Sequence, residues 1–184
     1  MINSNLVMCV KSRSETRKLR KQLTFDRTSL TILGSMPAVV VKEKIYEGDI
    51  VFMFEGKIIS EPTRTSIQID VSKHIDGQHE IDSDDKSLSW KFINHSCEPN
   101  GYIDTDNHTY VALRDIKVGE ELTFDFHTTE FDIANPFECD CKSENCVKKI
   151  AGFKHLDKEQ KKKVQLTIAP HLKLFILYDC SFVM

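Results

Sequence analysis

The chain has 184 residues, 40% of them hydrophobic and 29% charged, with a formal net charge of −3. This is the length and balance of one folded domain with short appendages, and it excludes a multidomain chain, wholesale disorder and a collagen-like composition. No global basic field argues for nucleic acid as a partner, and the longest apolar stretches, 6–10 and 174–178, fall far short of the roughly 20 residues of a spanning helix, so no membrane anchor is expected.

Residues 1–30 join a short apolar segment to Arg13, Arg17, Lys18, Arg20 and Lys21 and read as a solvated arm of unassigned role. The chain start lacks the charged end and apolar run of a secretory signal, which points to a reducing interior, cytosol or nucleus. From Ala38 the texture becomes β-branched: a strand at 39–41, then a hairpin of 50–54 and 57–59 about a Glu55-Gly56 turn. Residues 66–71 and 109–113 alternate with period two, as do 122–126 after a Val118-Gly119 turn. Between strands, Asp76, Glu80, Asp82, Asp84 and Asp85 form an acidic loop, expected in solvent, where it would attract a cationic substrate. Helical texture comes late. Asp157 with Gln160 predicts a capping box for a helix in 158–168, Pro170 stops it, and a short helix at 171–178 follows. The pattern predicts a mainly β fold with some α.

Six cysteines in a reducing setting suggest metal before disulfides. Cys139, Cys141 and Cys146 place three thiolates on one short loop, and a tetrahedral zinc needs one more ligand, for which Cys97 is the candidate. Cys9 and Cys180 stand alone and read as plain thiols. Two further segments stand out: Asn94-His95-Ser96-Cys97-Glu98-Pro99-Asn100, and Gly119-Glu120-Glu121-Leu122-Thr123-Phe124-Asp125-Phe126. Alone, each reads as an ordinary turn or strand.

In this order, the three segments resemble the SET domain family of S-adenosylmethionine-dependent protein-lysine methyltransferases with its cysteine-rich post-SET tail. The first matches Asn-His-Ser-Cys-x-Pro-Asn, the second Gly-Glu-Glu-Leu-Thr-Tyr/Phe-Asp-Tyr, and the cysteine loop Cys-x-Cys-x4-Cys. The likeness runs from about Thr31 to Leu177 and extends to the tail of compact, stand-alone members. It implies short curved sheets with 94–100 threaded as a pseudoknot, a SET domain at 31–128, and a post-SET zinc loop with C-terminal helices at 129–184. S-adenosylmethionine would be held by Gly34, Met36, Asn94, the backbone of His95, and Phe137. Zinc would sit on Cys97, Cys139, Cys141 and Cys146, and the acceptor would be a lysine of a protein or peptide.

The chain also departs from the pattern. Phe126 occupies the position of the family's amine-orienting tyrosine, and Phe124 that of the residue influencing how many methyls are added. Tyr102, Tyr110 or a channel water are the candidates to replace the missing hydroxyl, with Tyr102 placed among the catalytic residues. Gly34-Ser35-Met36-Pro37-Ala38 stands where Gly-x-Gly is usual, and Lys91 where arginine is more frequent. His127 is expected on the surface. Two other functions are open at this point: a degenerate module that binds S-adenosylmethionine or a protein without catalysis, and an enzyme acting on a small-molecule amine.

Overall fold

The computed structural model describes residues 27–77 and 90–177. Cys9, Cys180, the basic run, and Glu80, Asp82, Asp84 and Asp85 of the acidic loop lie outside the described residues. Within them, twelve short strands form five small sheets, followed by two helices. Strands β1 (Thr28–Leu33) and β2 (Met36–Val41) form an antiparallel hairpin that turns at Gly34, whose φ of +63° favours glycine. The boundary read at residue 30 therefore falls inside a strand, which begins at Thr28 and has Thr28 buried.

The predicted hairpin of 50–59 is not formed. Strand β3 (Ile50–Met53) pairs with β9 (Thr109–Ala112), while β4 (Lys57–Ile59) pairs with β6 (Lys73–Asp76) in another sheet. Gly56 marks the switch: a Cβ there would stand 2.3 Å from the Asp76 carbonyl oxygen, so the glycine is needed for close backbone approach and not for a reverse turn. Strand β5 (Ile67–Asp70) completes the β4-β6-β5 sheet, and β8 (Gly101–Asp104) completes β3-β9-β8. Asp76, read as part of a solvated loop, is instead buried at the end of β6.

The main core lies among these sheets, with Phe52, Phe54, Trp90, Ile103, Tyr110 and Leu122 fully buried. A second cluster of Phe153, Leu156, Ile168 and Leu172 holds the tail, where Phe131 stacks on Phe175 at 4.1 Å. The tail helices follow the sequence closely. Helix α1 (Lys158–Val164) starts in the capping box, with the Asp157 carboxylate accepting from Gln160 N–H at 2.8 Å and Gln160 Oε1 accepting from Asp157 N–H at 2.9 Å. Helix α2 (Pro170–Leu177) begins at Pro170, a residue suited to a first helical position because its missing N–H would be unpaired there anyway. No helix among the described residues is long and apolar enough to cross a membrane.

Candidate active site and metal centre

The two motif segments are knitted together by a parallel pair, β7 (Asn94–His95) with β10 (Thr123–Phe124), extended by Ser96 N–H to Phe124 O at 3.1 Å. A pair this short owes its position to side chains. Asn100, 3% exposed, donates from Nδ2 to Glu121 O at 2.7 Å, while its Oδ1 accepts from Thr123 N–H at 2.9 Å and lies 2.8 Å from the Tyr110 hydroxyl. That hydroxyl is also 2.9 Å from Thr123 O, and burial drives its pKa far upward, so it stays protonated as a structural donor. Tyr110 is thus part of the knot. Tyr102 alternates on β8 with Gly101 and Ile103, both buried toward the core, and so faces the other side of that sheet.

Asn94 ties the β1–β2 hairpin to the knot. Its Nδ2 donates to Pro37 O at 2.9 Å and to Glu121 Oε1 at 2.7 Å, which uses both of its protons. Among the described residues Oδ1 has no protein partner, so the side chain offers a ligand only an acceptor, beside the Glu121 carboxylate. Such a pair suits an ammonium, the group carried by the amino-acid portion of S-adenosylmethionine. Gly34 sits at the hairpin turn and Met36, 47% exposed, begins β2.

After β10 the chain turns through a 3-10 segment at Phe126–Thr128, capped by the Asp125 carboxylate. The rings of Phe124 and Phe126 lie 4.7 Å apart, and Phe126 meets His95 at 5.3 Å and Phe137 at 6.1 Å. Phe137 stands on β11 (Phe137–Glu138), which pairs with β12 (Lys149–Ile150). The structure therefore brings together Phe124, Phe126, His95 and Phe137 in one aromatic group; none of the phenyl rings can hydrogen-bond an amine, but their faces attract a cation. His127 is not on the surface. It is 1% exposed, with Nδ1 2.7 Å from Asp125 Oδ1, and the Asp-x-His spacing is the signal that identifies such a buried pair. Burial pushes the His95 pKa down to about 4, against the pull of Asp125 and with a further push from His127.

Cys97, Cys139, Cys141 and Cys146 are all free thiols whose sulfurs lie within 4.8 Å of one another. A tetrahedral zinc holds its sulfurs about 3.8 Å apart, so the four fit it with little adjustment, and an all-sulfur set suits zinc chemically. The loop bends back on itself at Lys142 and Lys148, both in the left-handed region at φ 60° and 66°. Burial, followed by crowding with its neighbours, pushes the Cys139 thiol up to about 11. At Cys141 burial also opposes ionisation, but the amides of Cys97 and Ser143 with the thiols of Cys139 and Cys146 overcome it and bring the pKa down to about 7.

The model of the SET domain matches residues 38–127, spanning both motif segments. The chain carries a SET domain. Its relatives include "Methyltransferase flvH" of Aspergillus flavus, 37% identical over 45% of this chain and 46% of that protein. They also include "Histone-lysine N-methyltransferase, H3 lysine-36 specific" of Gibberella zeae, 34% identical over 56% of this chain and 13% of that protein. The matched stretches cover less than half the length of either. Among solved structures, KRYPTONITE in complex with DNA, a histone H3 peptide and SAH matches with a TM-score of 0.50 and 24% identity, over 67% of this chain and 30% of that one, a likeness of fold. The mainly β architecture of short sheets is that of SET proteins.

Proposed function

We propose that this SET domain transfers a methyl group from S-adenosylmethionine to the ε-amine of a lysine in a protein or peptide, and that a zinc ion on Cys97, Cys139, Cys141 and Cys146 holds the tail after residue 128 to the domain that begins with β1. The observation that carries this reading is the convergence of Asn94, Phe124 and Phe126 of the matched domain with Phe137 of the segment that follows it. Histone methyltransferases among the relatives make a histone-type lysine the first acceptor to try, in a reducing compartment.

When bound, S-adenosylmethionine supplies an electrophilic methyl on a sulfonium. Asn94 Oδ1 and Glu121 would hold its ammonium end, and Gly34, Met36, the His95 backbone and Phe137 would line the remainder. Phe124 and Phe126 would exclude water and confine the acceptor nitrogen for transfer. A lysine of pKa near 10.4 costs about 5 kcal/mol to deprotonate at pH 7, and here desolvation among the rings lowers that cost, the proton leaving to solvent before attack. Without a hydroxyl at Phe126, alignment of the nitrogen rests on packing, with Tyr102 on the far face of its sheet.

Calorimetry with S-adenosylmethionine, then label transfer to a lysine peptide library, tests the reading. Phe126→Tyr adds one hydrogen bond made chiefly in the reacting geometry, worth about 1 to 3 kcal/mol, so its rate rises roughly five- to a hundredfold. A flat or falling rate removes Phe126 from the assigned role. Cofactor binding without transfer by either protein would favour a non-catalytic module, and label confined to small molecules a different amine acceptor.

A further inference from the structure

One side chain bridges the sulfur cluster and the aromatic group. The His95 imidazole is 2% exposed and makes a polar contact at each edge: Nδ1 accepts from the Phe126 amide at 3.1 Å, and Nε2 lies 3.2 Å from Cys97 Sγ. An imidazole always carries a proton on at least one nitrogen, so a lone pair committed at Nδ1 puts the proton on Nε2. Nε2–H therefore donates to sulfur. Asp125 does not compete for this ring. Its Oδ1 is 3.6 Å from His95 Nδ1 and already accepts from the backbone N–H of His127 at 3.0 Å and from His127 Nδ1 at 2.7 Å. The ring is fixed further by edge contacts with Phe126, Phe137 and His127.

We propose that His95 is a positioning residue whose side chain couples occupancy of the four-cysteine metal site to the backbone of Phe126, by donating from Nε2 to Cys97 and accepting at Nδ1 from the Phe126 amide. The inference rests on reading the four cysteines as a zinc site and is independent of methyl transfer. Metal on Cys97 fixes the sulfur, the sulfur fixes the plane of the imidazole, and the imidazole fixes the amide of the residue assigned to the acceptor channel. The same link runs in reverse, because an N–H donor to a ligating thiolate orients it and spreads its charge, and losing such a partner typically lowers metal affinity about 10- to 100-fold.

The test uses the full chain and zinc alone, titrated against a chromophoric chelator, with hydrogen exchange of the Phe126 amide followed by NMR. Stripping zinc from the unmutated protein is expected to speed that exchange by about tenfold or more, as its acceptor loosens. His95→Phe keeps the ring but neither polar contact, so zinc binds about 10- to 100-fold more weakly and no longer protects the amide. His95→Gln, whose amide reaches the Nε2 position, restores zinc affinity without the protection; His95→Asn, which reaches only the Nδ1 position, leaves affinity low. Wild-type affinity in His95→Phe, a Phe126 amide indifferent to zinc, or a chain that binds no zinc overturns the proposal. The nitrogen chemical shifts of His95 in the unmutated protein decide between the two tautomers even if every variant misfolds: protonation at Nε2 supports the link, and protonation at Nδ1 alone refutes it. Passing these measurements while binding no S-adenosylmethionine would leave this inference standing and remove the methyltransferase reading; failure with methyl transfer intact would do the opposite.

Discussion

The knot around Asn100 and the polar cluster around Glu130 both take polar groups out of water, yet they solve that problem in opposite ways. In the knot the three hydrogen-bonding groups of Asn100, Thr123 N–H and the Tyr110 hydroxyl are matched to one another by neutral groups. In the cluster Glu130 accepts from Gln68 N–H at 2.7 Å and Thr129 Oγ1 at 3.2 Å, but His74 Nε2 stands 3.7 Å from its carboxylate, beyond hydrogen-bond reach. Among the described residues His74 and His171 each leave a buried Nδ1 without a partner, and burial lowers the pKa of both. A matched neutral network keeps its geometry at any moderate pH, which suits the part that positions reacting groups. The Glu130 cluster, built from proton-exchanging groups, ties stability to pH.

The difference is sharpest at Asn100. Asn100→Ala removes donor and acceptor together and strands Thr123 N–H and Glu121 O in the interior, a loss of about 4 kcal/mol readable in denaturant unfolding. A loss below about 1 kcal/mol would mean that the β7–β10 pair stands without the side-chain knot. At Glu130 the change has the other sign. Burial raises the Glu130 pKa from 4.5 to about 7, against the hydrogen bonds from Gln68 and Thr129, so the folded chain holds a proton that the unfolded chain has lost. Its contribution is most favourable below 4.5 and declines as pH rises toward 7. Glu130→Gln keeps an acceptor for Gln68 N–H and stabilises the protein by about 2 kcal/mol at pH 8 while changing little at pH 4.5, a contrast checked by thermal melts at both values. Equal shifts at the two pH values would dissociate Glu130 from the pH response. The smallest effect lies outside both regions: Asp157→Ala removes one helix cap and costs about 1 kcal/mol, confined in hydrogen exchange to the start of α1.

The capping box and the three motif segments are legible in the sequence because each is a matter of residue type at fixed spacing, and Cys97 joins the cysteine loop as the further ligand that a four-coordinate metal requires. Pairing is less so. Alternation identifies a strand but not its partner, so 50–53 and 57–59 read as one hairpin although Gly56 sends them to different sheets. Strand β6 does not stand out, since its Lys-His-Ile-Asp sequence carries polar residues at positions that the fold buries, among them His74 and Asp76. His127 misleads for the same reason: a histidine after a strand is read as solvent-facing unless its carboxylate partner, here Asp125, is considered with it. Asn94 illustrates a different limit. Its residue type suggests both donor and acceptor toward a ligand, but only the fold reveals that Pro37 and Glu121 have taken the donor half.

The parallel pairing of Asn94–His95 with Thr123–Phe124 has a consequence for synthesis of the chain. A ribosome delivers the first member of the pair well before the second, and the thiols of Cys139, Cys141 and Cys146 later still. Until then Ile93 and Trp90, both buried in the finished molecule, have no completed core to enter. Closure of this core is thus late and non-local and cannot proceed by stepwise growth from the amino end.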